Sequence, residues 1–314
     1  MWRDLLGRLR SRRRALGARA GLLVPRVRPP GRPKIHVHRV GHRFPNEVVA
    51  LHDVNVEVHA GEFVCLLGPS GCGKTTLLYA LAGHLAPSGG RIAIDGIRVD
   101  GPGPTRLLVF QEPALFPWLT ARQNVLFPLR AQGVPRATAE ERARELFALV
   151  HLEGFEDALP HQLSGGMRMR VQLARALALD PAVLLMDEPF AALDAQTRGH
   201  MHELLQRIWL RDRKTVVFVT HDVREALVLG DRVIVMAARP GRVLRDLELR
   251  LPRPRDPDDE ALVELSRRIR DELRDAEGEG APRGAEPGKE DGDGPVVARG
   301  GARDGPAPRV GAPL

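Results

Sequence analysis

Apolar and polar positions follow two different patterns in "ALHDVNVEVHAGEFVCLLG", which starts at Ala50. Valines 54, 56 and 58 alternate with polar residues, which predicts a half-buried antiparallel strand. The uninterrupted apolar run at residues 63–67 predicts a strand buried on both faces, as in a parallel sheet. The runs "AVLLMDEP" and "TVVFVTHD" predict two more buried strands, each followed by a helix.

Helices and a pair of strands complete the predicted pattern. We expect a helix at residues 74–85 and mostly helical structure at residues 136–180. The stretch "DRVIVMAARPGRVLRDLEL" predicts two strands around a Pro-Gly turn. From about Asp256 we expect a charged helix, followed by a Pro/Gly/charge-rich tail whose composition predicts disorder.

The positive charge of the chain is concentrated at its start. Residues 1–34 contain eleven Arg or Lys and one Asp, a charge of +10 in a chain of net charge +7. The remainder therefore carries 7 − 10 = −3, which argues against a basic globular face for nucleic acid. In this arm, Trp2, Leu5, Leu6 and Leu9 have helical spacing. We predict a disordered arm; an amphipathic helix on anionic lipid and a nucleic-acid arm are the alternatives.

Other features limit the class of protein. No apolar stretch approaches the roughly 18 residues that a membrane span requires. The apolar piece "GLLVP" in the arm is too short for a signal peptide. Two cysteines, Cys65 and Cys72, build no disulfide framework and suit a reducing cytosol.

The sequence "GPSGCGKTT" fits Gly-x-x-x-x-Gly-Lys-Thr between a predicted strand and a predicted helix. We expect its backbone N–H groups to surround phosphates, Lys74 to reach the β- and γ-phosphates, and Thr75 to bind Mg²⁺. The predicted nucleotide-binding residues of this phosphate loop (residues 68–76) are Gly68, Pro69, Ser70, Gly71, Cys72, Gly73, Lys74, Thr75 and Thr76. The loop N–H groups and Lys74 also predict a favoured, reactive thiolate at Cys72, while Cys65 should be inert.

Polar residues follow three other predicted strands. Asp187 and Glu188 end one strand, where Asp187 suits Mg²⁺ and Glu188 suits a general base for an attacking water. His221 ends another and is placed to bond the γ-phosphate and to align Glu188. Gln111 follows a strand in "VFQEPALFPWLT". In the alternative interpretation these residues have no catalytic role: Asp187 and Glu188 form a solvated acidic turn, His221 is a packing residue and Gln111 is a loop residue.

A second glycine-rich turn precedes a predicted helix in "HQLSGGMRMRVQLARALALDP". Backbone N–H groups at such a helix start also bind anions. Ser164 lies 164 − 74 = 90 positions after Lys74. One chain thus has two predicted phosphate sites.

These motifs occur in a known order. The phosphate loop, "VFQEPAL", "LSGGM", "LLMDEP", "ALD" and "VTHD" resemble those of the nucleotide-binding subunit of ATP-binding-cassette (ABC) transporters, over about residues 35–255. The resemblance implies an α/β fold: a P-loop NTPase core with a small antiparallel β subdomain and an inserted α-helical subdomain at about residues 112–180. The arm (1–34), a C-terminal helix (256–276) and a disordered tail (277–314) lie outside the family pattern.

The resemblance also implies roles and partners. Gln111 would contact Mg²⁺ and move with a membrane partner, Asp194 would lie at a dimer contact, and His221 would be a switch. Phe44 falls where an aromatic ring stacks on adenine. The signature loop (residues 164–166) is formed by Ser164, Gly165 and Gly166. The implied ligands are ATP and Mg²⁺.

In this family two chains pack head to tail, and the signature loop of one closes over the γ-phosphate held by the other. The second glycine-rich turn would thus serve the partner's nucleotide. The implied partners are a second copy, transmembrane permease subunits and, indirectly, an extracytoplasmic solute-binding protein, at the cytoplasmic face of the membrane. The segment from Gln111 to Leu119, with the apolar residues Leu115, Phe116 and Trp118, predicts the permease contact; alternatively, Trp118 packs the helical subdomain.

Longer stretches such as "EPALFPWLTARQNV" and "MDEPFAALDAQTR" are similar to ATPases of nitrate, sulfonate and taurine importers. Met169, Ala191 and Thr75 differ from the residues usual at these positions in such importer ATPases, but none of these differences removes a catalytic group. A soluble ABC-type ATPase acting on nucleic acid is the alternative, but the coiled-coil insertion or second cassette usual there is not seen. A small-molecule kinase would leave the signature loop without a role.

Overall fold

A computed structural model describes residues 22–26 and 31–278, with side chains as far as residue 270. The strands are β1 (Leu23–Pro25), β2 (Ile35–Arg43), β3 (Val49–Val58), β4 (Phe63–Leu67), β5 (Gly89–Ile94), β6 (Ile97–Arg98), β7 (Arg106–Val109), β8 (Val183–Asp187), β9 (Thr215–Thr220), β10 (Arg232–Ala237) and β11 (Arg242–Leu249). The helices are α1 (Lys74–Ala82), α2 (Ala121–Ala131), α3 (Arg136–Leu149), α4 (Gly165–Ala178), α5 (Ala195–Asp212), α6 (Val223–Leu229) and α7 (Glu260–Gly278). The helical spacing near Trp2 and the tail beyond residue 278 lie outside the described residues.

Two sheets form the body of the fold. The larger has the strand order β1-β11-β10-β4-β9-β8-β7, in which β10, β4, β9, β8 and β7 are parallel. The smaller is antiparallel, in the order β3-β2-β5-β6. Helices α2, α3 and α4 are inserted between β7 and β8. The predicted fold class is therefore confirmed.

The central strands are buried on both faces because two hydrophobic clusters sandwich the larger sheet. In β4, Phe63, Cys65 and Leu67 belong to one cluster, while Val64 and Leu66 belong to the other. Strands β8 and β9 divide their side chains in the same alternating way. This two-sided burial explains the continuous apolar runs in the sequence. It also gives the residues that follow each strand a rigid support.

The sheet begins inside the segment predicted to be a disordered arm. Residues of β1 pair antiparallel with β11, Leu23 opposite Leu249 and Pro25 opposite Leu247. Arg26 Nη2 forms an ion pair with Glu62 Oε1 at 2.7 Å. This part of the arm is ordered, contrary to the prediction, because its partner strand lies far along the chain and a three-residue apolar run gives little local signal.

Two helices have other bounds than predicted. Helix α1 stops at Ala82 because Gly83 adopts φ 84° and its N–H bonds to Ala80 O at 3.2 Å. Helix α7 starts at Glu260, after a turn in which Asp256 Oδ1 accepts from the N–H of Asp258. None of the described helices has the length and apolar character needed to cross a bilayer.

Candidate active site

Four strand ends bring the predicted polar residues to one edge of the larger sheet. In the order β4-β9-β8-β7 these strands are parallel, so their carboxyl ends lie side by side. Leu67 pairs with Thr220, and Asp187 pairs with Val219, so the ends are nearly level. The phosphate loop follows β4, His221 follows β9, Glu188 follows β8 and, one residue further on, Gln111 follows β7. A crevice beside such strand ends is the usual ligand site of an α/β sheet.

The phosphate loop can be built only with glycine at two of its positions. A Cβ on Gly68 would lie 2.6 Å from Met236 O, and one on Gly73 would lie 2.7 Å from Ala50 O. Gly73 also has φ +88°, in the left-handed region that other residues avoid. The backbone can therefore turn tightly from β4 into α1, and the N-terminus of α1 is suited to an anion.

Lys74 is buried against this loop and faces the catalytic candidates. Its side chain is 5% exposed, and Nζ donates to Gly68 O at 2.8 Å and to Pro69 O at 3.0 Å. The same Nζ lies 3.9 Å from Glu188 Oε1. The ammonium thus lies between the loop and the end of β8, where it can meet a phosphate bound by the loop.

Thr75 and Asp187 together provide oxygen ligands for a hard cation. The Thr75 hydroxyl donates to Asp187 Oδ1 at 3.0 Å. Burial raises the pKa of Asp187, the Glu188 charge adds to this, and the Thr75 hydroxyl and Lys74 oppose it. A bound cation would favour the ionised carboxylate. Hydroxyl and carboxylate oxygens are suitable for Mg²⁺, so the residues present fit this ion.

Glu188 and His221 form a hydrogen-bonded pair at the ends of β8 and β9. His221 Nδ1 lies 2.8 Å from Glu188 Oε2, and their side chains are 59% and 21% exposed. Glu188 has φ 42°, while its N–H still bonds to Val219 O at 3.0 Å. Left-handed backbone at a residue other than glycine is common where function fixes a side chain. An ionised Glu188 accepts a hydrogen bond from His221 Nδ1–H, which orients the carboxylate.

The other three predicted residues lie in loops around this centre. Gln111 is exposed beyond β7, and its side chain makes no hydrogen bond within the described part of the chain. Phe44 packs edge-on against His42 at 4.7 Å, in the turn before β3, the strand that touches Gly73. Asp194 caps α5 by accepting from the N–H of Thr197 at 2.9 Å.

The signature loop is a second, separate helix start. Ser164 is the N-cap of α4, and its Oγ accepts from the N–H of Met167 at 3.2 Å. Gly166 is buried, and a Cβ there would lie 2.4 Å from Thr197 Cγ2. In the described residues, no hydrogen bond or ion pair joins this loop to the phosphate loop, Glu188 or His221.

Cys72 is not the reactive thiol that the sequence predicts. It is 1% exposed, and a Cβ on Gly68 would lie 2.7 Å from its Sγ. Burial raises the pKa of Cys72 more than Lys74 lowers it. The prediction was wrong because burial of Sγ outweighs the Lys74 charge and the backbone N–H groups of Lys74 and Cys72, which favour the thiolate. Cys65 is fully buried in β4, and burial raises its pKa as well.

Sequence reasoning missed the residues behind the catalytic pair. A small cavity of about 40 Å³ is lined by Glu188, Phe190, Ala191, Arg198, Thr220, His221, Asp222 and Glu225. Within this group Glu225 bonds to His202 Nε2 at 2.9 Å, and both side chains are buried. In the sequence, His202 and Glu225 appear only as polar residues on predicted helices, and this does not distinguish them from residues that face solvent.

The fold and this site define an ATP-binding cassette ATPase, and the similarity of the chain to known proteins agrees with this class. The ABC transporter family matches residues 51–191. An ABC transporter ATP-binding protein of Methanocaldococcus jannaschii is 50% identical over 230 residues, 73% of this chain and 86% of that protein. The chain therefore belongs to the ABC transporter family, as its motifs predict.

Two further relatives and one solved structure are similar to this chain over most of its length. The taurine import ATP-binding protein TauB of Pseudomonas putida is 50% identical over 68% of this chain and 82% of its own length. The nitrate import ATP-binding protein NrtD of Synechocystis sp. is 50% identical over 65% and 77%. A dimeric ATP-binding cassette in a post-hydrolysis state with ADP and phosphate is 35% identical with a TM-score of 0.62, covering 69% of this chain and all of that one.

Proposed function

We propose that this chain is the ATP-hydrolysing subunit of an importer for a small solute such as taurine, a sulfonate or nitrate. The observation that carries the ATPase assignment is the juxtaposition of Lys74, Glu188 and His221 beside the Thr75–Asp187 pair. The relatives named for taurine and nitrate import support the solute class. The net charge of −3 beyond the arm disfavours the alternative of an ATPase that acts on nucleic acid.

The chemistry follows from the positions of these groups. The phosphate loop and Lys74 neutralise the β- and γ-phosphates of ATP, and Thr75 and Asp187 would hold Mg²⁺, which would supply further positive charge. Glu188 takes a proton from water as the water oxygen bonds to the γ-phosphorus and the bond to the ADP oxygen breaks. His221 holds Glu188 through the 2.8 Å hydrogen bond. The products are ADP and inorganic phosphate.

The exposed signature loop supports a head-to-tail dimer of this chain. Ser164 is exposed at the N-terminus of α4 and is not bonded to its own catalytic groups in the described residues. A second copy would place its phosphate loop there, so that each ATP contacts both chains. The similar cassette described as dimeric is consistent with this arrangement.

An aromatic cluster beyond β7 supports docking to a transmembrane permease, at the cytoplasmic face of the membrane. The cluster consists of Phe116, Trp118 and Phe127; Trp118 is 72% exposed and Phe127 is 48% exposed. The Phe116 ring lies 5.7 Å from Trp118 and 4.7 Å from Phe127. This exposure disfavours the alternative in which Trp118 packs the helical subdomain. An exposed apolar group of this kind is typical of a protein contact.

Trp118→Ala should reduce docking because it removes the most exposed ring of the cluster. The measurement is the amount of multi-span permease that co-purifies with the tagged chain from native membranes, identified by mass spectrometry. Ile97→Ala is the matched control, since Ile97 is 74% exposed on β6, outside the helical subdomain. Equal losses of permease from both variants would contradict the assignment of this surface.

Glu188→Gln tests the proposed activity. It should lower turnover by about 10²–10⁴-fold, because the base is lost while the shape of the site is kept. ATP binding should persist, since Lys74, Thr75 and Asp187 are unchanged. Phosphate release and fluorescent-ATP binding measure the two effects. Turnover at the wild-type rate would contradict the role of Glu188 and with it the proposed site.

A further inference from the structure

Helix α6 has a catalytic candidate at one end and a buried arginine at the other. His221 directly precedes its N-cap, Asp222, whose Oδ1 accepts from the N–H of Arg224 at 2.8 Å. The helix has seven residues, so its ends are about 10 Å apart. The segment after β11, residues 250–255, crosses the far end of this helix; we call it the C-terminal strap. Because His221 directly precedes the N-cap of α6, its backbone position is linked to that of the helix.

Arg255 is the main contact between the strap and α6. It is 6% exposed, and Nη1 donates to Leu227 O at 2.9 Å and also to Gly230 O. The last carbonyls of a helix have no partner within it, and a cation there is favourable. Burial and the neighbouring Arg253 lower the pKa of Arg255 to about 10, so it remains charged at neutral pH.

The backbone of Arg255 is fixed to a second helix. Its N–H donates to Gln206 Oε1 at 2.8 Å, and Gln206 Nε2 donates to Arg255 O at 3.1 Å. Gln206 is 2% exposed on α5. The guanidinium thus holds α6 from a position that α5 defines. The nearby Arg253 adds a hydrogen bond to Leu229 O.

His221 depends on this support because little else fixes its side chain. It is 59% exposed, and its hydrogen bond within the described residues is the one to Glu188. Its position therefore follows the backbone between β9 and α6. A shift of α6 by less than one hydrogen-bond length would separate Nδ1 from Glu188 Oε2.

We propose that Arg255 is a positioning residue for ATP hydrolysis, which holds α6 and thereby keeps His221 bonded to Glu188. The proposal rests on the proposed roles of Glu188 and His221. Arg255 should affect turnover rather than ATP binding. Within the described residues, no hydrogen bond or ion pair joins the C-terminal strap to the phosphate loop or Lys74.

The test is a double-mutant cycle in the full chain. Arg255→Gln should lower kcat about tenfold and leave KM for ATP within about threefold. In a His221→Ala background the same change should alter single-turnover ATP cleavage by less than about twofold, because the group through which Arg255 acts is gone. Equal losses in the two backgrounds would show that Arg255 is only structural.

Arg232→Gln is the matched control. Arg232 is 3% exposed and is paired with Asp246 at 2.5 Å, and its described hydrogen bonds do not involve α6. Arg232→Gln should lower the unfolding temperature. At temperatures where this variant stays folded, its kcat should equal that of the wild type. If kcat falls in parallel with the unfolding temperature in both variants, the proposal is refuted.

Arg255→Lys covers the possibility that Arg255→Gln does not fold. Lysine keeps the charge and one donor for Leu227 O, so kcat should lie between those of the wild type and Arg255→Gln, again only when His221 is present. An unchanged kcat in Arg255→Gln, or a raised KM, overturns the proposal while leaving the ATPase assignment intact. Wild-type turnover in Glu188→Gln would overturn the assignment itself.

Discussion

The phosphate loop and the signature loop are both glycine-rich turns that start a helix, yet their surroundings differ. Around the phosphate loop, Lys74 is buried and lies 3.9 Å from Glu188 of the same chain. At the signature loop, Ser164 is exposed and caps only its own helix. One loop has its catalytic partners within the chain, while the other presents donors outward. The difference supports the proposal that the second loop serves a nucleotide held by another molecule.

The strongest test of this difference combines two inactive variants. Lys74→Ala and Ser164→Arg homodimers should each be inactive, because both composite sites of each dimer carry a defect. In a mixture with random pairing, one intact site forms in each heterodimer, and about one quarter of wild-type activity should return. Single-turnover ATP cleavage is the measurement, since it avoids the effect of cooperativity between the sites. A mixture that stays inactive, with heterodimers present by size exclusion, would mean that each chain builds its own site.

A smaller effect tests how tightly the phosphate loop is built. Gly73→Ala should lower the free energy of unfolding by about 3 kcal/mol, because Cβ meets Ala50 O and the residue has φ +88°. Gly71→Ala should cost only about 1 kcal/mol, since φ is +76° but no atom lies within 4 Å of its Cβ. Urea unfolding of both variants checks the contrast. Similar losses of unfolding free energy in both variants would mean that the left-handed backbone conformation sets the cost and that the contact with Ala50 O adds nothing.

The smallest effect concerns the signature loop. Gly166→Ala should cost about 1–2 kcal/mol because its Cβ overlaps Thr197 Cγ2, whereas Gly165→Ala, with 3.9 Å to its nearest atom, should change stability by less than about 0.5 kcal/mol. Thr197 cannot rotate freely, since its Oγ1 bonds to Asp194 Oδ2 at 2.7 Å. Thr197→Ser removes Cγ2 and keeps this bond, so it should restore the stability of Gly166→Ala. Failure of that rescue in urea unfolding would place the strain elsewhere.

The sequence predicted the parts of the site that depend on local order. Two-sided burial makes β4, β8 and β9 recognisable in the sequence as apolar runs, and Asp187, Glu188 and His221 lie at or directly after the ends of β8 and β9. Parallel strands then bring Lys74, Asp187, Glu188 and His221 together. The roles of these residues stay predictions until the variants are measured.

Features set by contacts between distant segments were not predictable. The burial of Cys72 depends on how its Sγ packs beneath Gly68, which the loop motif does not encode. Strand β1 exists only because β11 offers its edge. Arg255 resembles any charged residue after a strand, and its burial depends on Gln206 and on the end of α6.

Strand β1 also bears on the tendency of the protein to aggregate. An unpaired sheet edge is a template for joining other chains, and proteins protect such edges with short strands and charged side chains. Here β1 covers Leu247–Leu249 of β11, while the rest of that strand carries the exposed Arg242 and Arg245. A chain shortened to begin at Ile35 would uncover two buried leucines, Leu247 and Leu249, at an open edge. We expect such a shortened chain to aggregate more readily than the full chain.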